Sequence, residues 1–383
     1  MTSSHYDVIV AGAGSMGSAT CYYLASRGYS VLGLEQFDTI PHVYGSHAGQ
    51  SRIIRKAYFE HSGYVPLLER AYANWRELEE RTGEKVYHQT GLLYCGPQDH
   101  DVIKGVKEAA TKYAVDIRPV SEKQDHPYFK LDENDEMLFE PDAGFLLPEK
   151  AIALYIREAL ANGAVIRTGE KLVQWEKKNG IIQVRTSSGT YTAKKLIITA
   201  GAWAAETIRE LNVPLKVTRQ LVLWVEPDDI SRFLPKNFPC WMLAGENFDG
   251  VWYGFPYLSG DDFPGPAGLK FALHHAGEET DPETVNREIT KEEISHLVEK
   301  AKLFFSFAGN RLITARTCLY TNSPDEHFII DRLPGYDGDV VIAGGFSGHG
   351  FKFVSVMGEL LAELAMNGKS GLRADFLGLD RFG

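Results

Sequence analysis

Hydrophobic and polar positions at the start of the chain follow the pattern of a strand, a helix and a second strand. An apolar run at residues 8–11 predicts the first strand, an amphipathic stretch to about Arg27 predicts the helix, and a second apolar run ends at Glu35. Glycines fill the turn between the first strand and the helix. This pattern predicts a βαβ unit, the building block of parallel sheets.

The pattern changes further along the chain. Residues 64–81 have helical periodicity and lead to Gly83, a residue type that favours helix ends. Residues 152–203 combine helix and strand patterns, residues 215–275 are rich in alternating strand patterns, and residues 339–368 return to a strand and a helix. We predict an α/β (α+β) fold, in which an antiparallel β-rich domain is inserted into a Rossmann-type dinucleotide domain. The predicted dinucleotide domain takes residues 1–85, 145–215 and 318–383, and the inserted domain takes residues 86–144 and 216–317.

Composition narrows the classes of partner. The 383 residues carry a net charge of -11 without a basic run, which argues against a nucleic-acid partner. No segment reaches the roughly 18 apolar residues of a membrane span, and the N-terminus enters a strand pattern without a secretory signal. The four cysteines are widely spaced and favour neither a disulfide framework nor a zinc site. We expect a cytoplasmic protein that binds a small molecule and no metal.

The first glycine turn carries a dinucleotide motif. Gly12, Gly14 and Gly17 form G-x-G-x-x-G between the strand and the helix, and Glu35 ends the next strand about 20 residues later. Such a turn offers backbone N–H groups and a helix N-terminus to a pyrophosphate, while the carboxylate accepts hydrogen bonds from ribose hydroxyls. The motif alone fits NAD or FAD, and a glycine turn without a ligand is the simpler alternative. Its position near the N-terminus, with similar strands far downstream, favours FAD.

A second succession of strand, glycine turn and helix occurs near the other end of the chain, in VVIAGGFSGHGFKF. A helix N-terminus at this point suits the pyrimidine edge of a flavin, whose negative charge it would stabilise. His349 and Lys352 lie in or beside the turn. His349 could instead cap or pack the helix, and Lys352 could be a surface lysine, although phenylalanines flank it on both sides.

Other candidate residues occur in apolar settings. Arg52 and Arg55 flank two isoleucines and suit an anion or a ring, although a solvated helix face has the same spacing. Strand alternation in GLKFALHH places Lys270 and His274 on one face, which either meets water or lines a cavity. In a cavity, Lys270 would be a cation with a tunable pKa. Cys318 lies in a strand-like run, where an inert buried thiol is the simpler alternative to a reactive one.

Together these motifs resemble one family over nearly the whole chain. The chain is similar to the monomeric sarcosine oxidase and N-methyltryptophan oxidase family of FAD-dependent amine oxidases in DVIVAGAGSMG, GSHAGQSRIIR, FEPDAGFL, LIITAGAW, WYGFP, GLKFALHH, CLYTNSPDEHFIID and GFSGHGFKF. The resemblance implies a fold like that of D-amino acid oxidase and sarcosine oxidase. It also implies a monomer that binds an amino acid and O2.

The resemblance further implies roles for single residues. Cys318 would hold the flavin covalently, Lys270 would be the site of the reaction with O2, and Arg55 and Lys352 would bind the substrate carboxylate. The implied FAD contacts are Gly12, Ala13, Gly14, Ser15, Met16, Gly17, Glu35, Gln36, Ser46, Ser51, Arg52, Val173, Ala200, Gly201, Trp203, Cys318, Gly345, Gly348, Gly350, Phe351 and Lys352. The implied catalytic residues are Lys270, Arg52, His274, Tyr320, Tyr253 and His349, and the implied substrate contacts are Arg55, Lys352, Tyr253, Met242 and Gly348.

The implied reaction is the oxidation of a secondary amino acid. A hydride equivalent passes to flavin N5, water hydrolyses the imine, and O2 becomes H2O2. An N-methyl amino acid such as sarcosine would give formaldehyde and the primary amino acid.

Several alternatives stay open. Ala48 and Gln50 stand where relatives carry His and Asp, and the loops at 243–252 and 260–268 differ from the family. We expect both loops to shape the wall of the substrate pocket, so a cyclic amino acid such as pipecolate or proline is an alternative substrate. The other classes are a flavin dehydrogenase with a non-oxygen acceptor, an NAD-dependent dehydrogenase, and a dinucleotide-binding module without catalysis.

Overall fold

The computed structural model describes residues 5–121, 126–208, 211–245, 248–306 and 311–383. The helices in these ranges are α1 (Ser15–Ala25), α2 (Val65–Thr82), α3 (Asp101–Tyr113), α4 (Pro148–Ala161), α5 (Ala204–Thr207), α6 (Lys291–Lys302) and α7 (Val354–Asn367). None of them combines the length and the hydropathy that a membrane span requires.

The strands in the same ranges form three sheets. They are β1 (His5–Ala11), β2 (Val31–Leu34), β3 (Arg52–Ile54), β4 (Tyr87–Gln89), β5 (Leu92–Pro97), β6 (Arg118–Pro119), β7 (Asp135–Glu140), β8 (Gly144–Leu146), β9 (Val165–Arg167), β10 (Leu172–Lys178), β11 (Ile181–Thr186), β12 (Thr190–Ile198), β13 (Lys216–Glu226), β14 (Cys240–Leu243), β15 (Val251–Leu258), β16 (Gly268–His274), β17 (Glu278–Glu279), β18 (Arg311–Asn322), β19 (Ile329–Arg332) and β20 (Val340–Gly344).

The first sheet has eight strands and contains the predicted βαβ unit. β1 pairs in parallel with β2 and β12, β2 with β9, and β12 with β20. Val8 and Val10 face a core that α1, α4 and α7 share, while Ile9 and Ala11 face a second core on the opposite side. Both faces of β1 are buried, as is typical of parallel sheets. The prediction of a Rossmann-type unit is confirmed, with α1 ending at Ala25 rather than at about Arg27.

Two glycines of the predicted motif allow α1 to begin close to the sheet. Gly12 has a φ of 98°, a left-handed conformation that favours glycine. A Cβ atom on Gly17 would lie 1.9 Å from the carbonyl oxygen of Gly12. The motif therefore packs the first turn of the helix directly on the turn that precedes it.

The second sheet is largely antiparallel. Eight of its nine strands follow the order β17-β13-β16-β15-β14-β5-β7-β6, and β18 also pairs with β13. Its longest pairing joins β13 to β18 and sets Gln220 opposite Cys318. The predicted combination of a Rossmann-type part with an antiparallel β-rich part is confirmed. The predicted boundary at residue 318 falls inside β18, and the division into two domains stays a prediction.

The parallel strands β1, β2, β12 and β20 end at one edge of the first sheet. The loops that follow them begin at Gly12, Glu35, Thr199 and Gly345. The small third sheet, β3-β8-β4, has Arg52 at the start of β3. Ligands of open parallel sheets bind outside the carboxyl ends of the strands, so this edge is where a site is expected.

Candidate active site

A cavity of about 420 Å³ lies at this edge of the first sheet. The loops after β1, β2, β12 and β20 line one side of it, and strands β13 to β16 and β18 of the second sheet line the other. It therefore joins the glycine turns of the first sheet to side chains of the second, and it is the candidate active site.

Most residues of the predicted site line this cavity. The predicted FAD contacts among them are Gly12, Gly14, Ser15, Met16, Glu35, Gln36, Ser46, Arg52, Val173, Ala200, Gly201, Trp203, Cys318, Gly345, Gly348, Gly350, Phe351 and Lys352. The other predicted residues among them are His274, Tyr320, Tyr253, His349, Arg55 and Met242. Four predicted residues lie outside the lining, namely Ala13, Gly17, Ser51 and Lys270.

The N-terminus of α1 is open towards a ligand. No side chain caps this helix, and its first turn contains no acidic residue. A Cβ atom on Gly14 would meet no other described atom within 4 Å. Free backbone N–H groups, a helix dipole and open space at a glycine are the features that bind a pyrophosphate.

Four buried polar atoms of lining residues lack a hydrogen-bond partner among the described residues. They are His42 Nδ1, His47 Nε2, Gln220 Oε1 and Thr321 Oγ1. An unsatisfied buried group costs about 1–3 kcal/mol, so such atoms indicate a missing partner. They extend from the loop after β2 to strands β13 and β18. This spread fits a long ligand with polar groups along its length, as FAD has.

Hydrogen bonds hold the positively charged guanidinium of Arg52 beside the thiol of Cys318. Its Nη2 donates to the carbonyls of Ser46 and Ala48 at 2.9 and 2.7 Å and contacts Cys318 Sγ at 3.6 Å. Its Nη1 donates to the Ser51 carbonyl at 2.8 Å. A guanidinium held in this way stabilises the negative charge that a reacting thiol develops.

Lys270 lies behind the turn of residues 49–51 rather than in the cavity wall. Its side chain is buried, and Nζ donates to the carbonyls of Gly49 and Ser51, both at 2.6 Å. Nζ also lies 4.6 Å from the centre of the Phe255 ring. Burial, assisted by Arg52, holds the pKa of Lys270 well below its usual value. The sequence left open whether the face of Lys270 and His274 meets water or lines a cavity. Lys270 is buried outside the cavity wall, and only His274 of this pair lines the cavity.

Arg55 and Lys352 form a buried cluster of cations around one aromatic ring. The Arg55 guanidinium lies 4.3 Å from the centre of the Tyr58 ring, and Lys352 Nζ lies 5.1 Å from it. Arg55 Nη2 also pairs with both carboxylate oxygens of Glu60, at 2.6 and 2.7 Å. Burial opposes the charge on Glu60, but Arg55 outweighs it and lowers the Glu60 pKa to about 2. Burial and then Arg55 lower the pKa of Lys352 to about 7.

Two histidines of the cavity are neutral near pH 7. Burial lowers the pKa of His349 to about 3 and that of His274 to about 4. His349 Nε2 lies 2.9 Å from the Glu326 carbonyl, which can only accept, so Nε2 carries the proton. His349 Nδ1 then accepts from the Tyr58 hydroxyl at 2.5 Å. His274 Nδ1 lies 3.2 Å from the Tyr320 hydroxyl oxygen.

A family model described as FAD dependent oxidoreductase matches residues 7–364. The chain belongs to this family. The prediction of FAD as the cofactor is thereby confirmed, and the residues above supply an open helix N-terminus and unsatisfied polar atoms to hold it.

Similar proteins indicate the subgroup of FAD-dependent oxidoreductases to which the chain is related. The chain is 39% identical to a protein named monomeric sarcosine oxidase from Bacillus sp. (strain NS-129), over 99% of this chain and 97% of the relative. It is 33% identical to an N-methyl-L-tryptophan oxidase from Yersinia pestis (strain Pestoides F), over 98% and 99%. These matches confirm the predicted family and its enzyme class, the FAD-dependent amine oxidases.

A solved structure shares the fold. NikD, described as an unusual amino acid oxidase essential for nikkomycin biosynthesis, superposes with a TM-score of 0.85 at 23% identity, over 98% of this chain and 97% of NikD. This likeness concerns the architecture alone. It confirms the predicted fold class of the oxidoreductase.

The expectation for the two variable loops of the oxidoreductase is wrong for their described residues. Neither residues 243–245 and 248–252 nor residues 260–268 line the cavity, and residues 246–247 lie outside the described ranges. The second loop packs elsewhere: the Phe263 carbonyl accepts from Gln50 Nε2 at 3.1 Å, and its ring packs 4.9 Å from that of His88. Phe263 of the second loop therefore supports the turn at Gln50 instead of forming the pocket wall.

Sequence reasoning missed two carboxylates of the site. Glu60 lies five residues after Arg55 in the chain. An acidic residue this close to an arginine in an apolar setting was a signal for an ion pair. Glu149 Oε1 accepts from the backbone N–H groups of Gly49 and Gln50 at 2.8 and 3.1 Å, 100 and 99 residues away in sequence. Its only local signal is its place in the first turn of α4. Gln220 and Thr321, on two paired strands, offered no signal beyond strand alternation.

Proposed function

We propose that the oxidoreductase oxidises the C–N bond of a secondary amino acid, an N-methyl amino acid such as sarcosine, and uses O2 as the acceptor. One observation carries the proposal: two buried cations, Arg55 and Lys352, line the same cavity as the dinucleotide turn and Cys318. The names of the relatives, sarcosine and N-methyl-L-tryptophan oxidases, support it. Bound FAD supplies the acceptor for a hydride equivalent and passes the electrons to O2, which gives H2O2.

The cation cluster is suited to a monoanion. Glu60 neutralises one of the two positive charges that Arg55 and Lys352 provide, so one positive charge is left over when Lys352 is protonated. A substrate carboxylate neutralises that charge. Because the cluster is buried, the interaction is stronger than a surface ion pair. In this proposal Tyr58 holds the two cations together at its ring.

The neighbouring groups prepare the amine. The amine must lose its proton to solvent before it can give up a hydride equivalent, and neutral His274 can hold the free amine through a hydrogen bond. The Tyr320 hydroxyl lies beside His274 and orients its ring. Hydrolysis of the resulting imine in water gives formaldehyde and a primary amino acid when the substrate carries an N-methyl group.

A second cation, on the side of the cavity where Arg52 and Cys318 lie, is suited to the reaction with O2. A fixed cation stabilises the negative charge that O2 acquires with its first electron. We assign this role to Lys270, which acts across the layer that Arg52 and Gly49 form in front of it. In the same proposal Cys318 holds FAD covalently, and the enzyme works as a monomer in the cytoplasm.

A screen for H2O2 release tests the proposal. The purified protein is supplied in air with N-methyl amino acids, proline and pipecolate. Lys270→Met is expected to slow the step with O2 and Arg55→Ala to raise the KM for the amino acid, each by about 100-fold or more. Lys369→Met and Arg373→Ala, at exposed positions, are the matched controls.

Each outcome of the screen has a distinct meaning. H2O2 from N-methyl amino acids supports the proposal, and H2O2 from proline or pipecolate alone supports the cyclic alternative. Bleaching of the yellow colour by an amine without H2O2 indicates a dehydrogenase. If none of these amines produces H2O2 or bleaches the yellow colour, the proposal is contradicted.

A further inference from the structure

The turn formed by residues 49–51 lies between an anion and a cation. On one side, Glu149 Oε1 accepts from the N–H groups of Gly49 and Gln50 at 2.8 and 3.1 Å. On the other side, the Gly49 and Ser51 carbonyls accept from Lys270 Nζ, both at 2.6 Å. The peptide group between Gly49 and Gln50 therefore points its N–H at the carboxylate and its C=O at the ammonium.

The conformation of this turn requires outside support. Gly49 has a φ of 116° and Gln50 a φ of 69°, a left-handed conformation that is uncommon for a residue with a side chain. Gln50 Oε1 accepts from Trp224 Nε1 at 2.8 Å, which fixes its side chain. The bonds from Glu149 fix the backbone N–H groups on the opposite side.

The charges around Lys270 come from several elements. Arg52 of β3 acts on it as a like charge and Glu149 of α4 as an opposite charge, and the thiols of Cys318 on β18 and Cys240 on β14 also act on it. Trp224 of β13 and Phe255 of β15 supply ring faces to Nζ. His47, which Glu149 also approaches, is neutral because burial lowers its pKa to about 4. Glu149 is therefore the one carboxylate among these groups.

We propose that Glu149 is a positioning residue, whose carboxylate fixes the Gly49–Ser51 turn and, through the turn, the Lys270 ammonium beside Arg52. The inference rests on the proposed role of Lys270 with O2. A different role for Glu149 would be to begin α4, because its carboxylate lies in the first turn of that helix. That role alone would affect stability and leave both the turn and the O2 step unchanged.

The first test measures the turn itself and needs no substrate. Hydrogen exchange by mass spectrometry follows peptides that span residues 45–55 in the wild type, Glu149→Ala and Glu149→Gln. The amide oxygen of Gln can still accept from both N–H groups, so we expect at least about tenfold faster exchange in Glu149→Ala and nearly wild-type exchange in Glu149→Gln. Glu299→Gln, an exposed carboxylate on α6, is the control.

The second test measures the charge. Holoenzyme reduced chemically under argon is mixed with O2 at a series of pH values, and the return of the yellow colour gives the rate without any amine. Removal of the anion disfavours the protonated form of Lys270. In Glu149→Gln we therefore expect the rate to fall at a lower pH than in the wild type. In Glu149→Ala we expect it to be at least about tenfold slower at pH 7 as well.

Two results would overturn the inference. One is unchanged exchange of residues 45–55 in both variants, and the other is a wild-type rate and pH profile for the return of colour in both. If Glu149→Ala does not fold, the nearly isosteric Glu149→Gln decides through the pH profile. Neither test uses an amine, so a failure of the amine-oxidation proposal leaves both results interpretable.

Discussion

At the scale of single residues, the chemistry of the site depends on buried charged side chains that lie close to one another. Lys352 donates its Nζ hydrogen to the His349 carbonyl at 2.7 Å and lies near the cation of Arg55. Its pKa of about 7 means that the free enzyme holds the Lys352 proton only below about that pH. A carboxylate in the cluster favours the protonated form. Binding of substrate above pH 7 should therefore take up a proton.

This linkage gives a pH-dependent affinity. For an amine-free carboxylate such as propionate, the dissociation constant is expected to be constant below pH 7 and to rise about tenfold per pH unit above it. Lys352→Met should bind more weakly at low pH and lose the rise. Titration of the FAD absorbance with propionate measures both, with Lys369→Met as the control. The same rise in Lys352→Met as in the wild type would contradict the assignment.

Cys318 gives a second prediction at the same scale. Acid precipitation of the wild-type protein is expected to leave the yellow colour in the pellet, because a covalent bond survives unfolding. Cys318→Ala should release the colour into the supernatant, and Cys240→Ala, a buried cysteine outside the cavity, should not. Colour in the wild-type supernatant would show that the attachment is absent.

At the scale of elements, we expect two glycines at the start of α1 to have different roles: Gly17 is needed for packing and Gly14 for FAD binding. Gly17→Ala brings a Cβ atom to 1.9 Å from a carbonyl oxygen and should cost about 3 kcal/mol of the free energy of unfolding, the upper end for overpacking. Gly14→Ala meets open space and should keep that free energy while weakening FAD binding. Denaturant unfolding of the FAD-free protein and FAD titration, both in a Cys318→Ala background, measure the two effects. Equal losses of stability in both variants would contradict this division.

The segment of residues 280–290 joins the second sheet to the walls of the cavity. Glu283 accepts from Trp203 Nε1 at 2.9 Å and pairs with Lys171 at 2.5 Å, and both partners line the cavity. Arg287 donates to the Tyr44 carbonyl at 3.2 Å, on the loop after β2. The segment therefore holds together three stretches of chain near Glu35, at the end of the cavity where the adenosine of FAD is expected.

Loss of this contact should loosen the cofactor. In a Cys318→Ala background, Glu283→Ala is expected to raise the dissociation constant for FAD about threefold, a modest effect because the pair is partly exposed. Glu292→Ala, an exposed acid on α6, is the control. Fluorescence of free FAD reports the binding. Unchanged affinity would show that the segment does not contribute to retention.

At the scale of the whole molecule, the sequence predicts what is local. The motif at Gly12, Gly14 and Gly17 was readable because strand, turn and helix are consecutive. Strand alternation placed Lys270 and His274 on one face but left open whether that face meets water or lines a cavity. The second sheet was predicted as antiparallel and β-rich, but not its strand order, because β14 pairs with β5 through contacts distant in sequence.

The rest of the site depends on such distant contacts. Glu149 meets a turn 100 residues away, and Gln50 is fixed by Trp224, 174 residues away. No pattern within either segment indicates the partner. The packing of the 260–268 loop against the turn, instead of in the pocket wall, has the same origin. Resemblance to a family supplied Cys318, Arg55 and Lys352 because it transfers positions that the fold has already brought together.

The proposed function requires that the molecule bring a secondary amino acid, FAD and O2 together at one cavity. The most direct measurement is the yield of both products from the N-methyl amino acid that reacts fastest with the purified enzyme in air. We expect formaldehyde and H2O2 in equal amounts, and we expect Arg55→Ala to lose both products at low substrate concentration. H2O2 without formaldehyde, or neither product from any N-methyl amino acid, would contradict it.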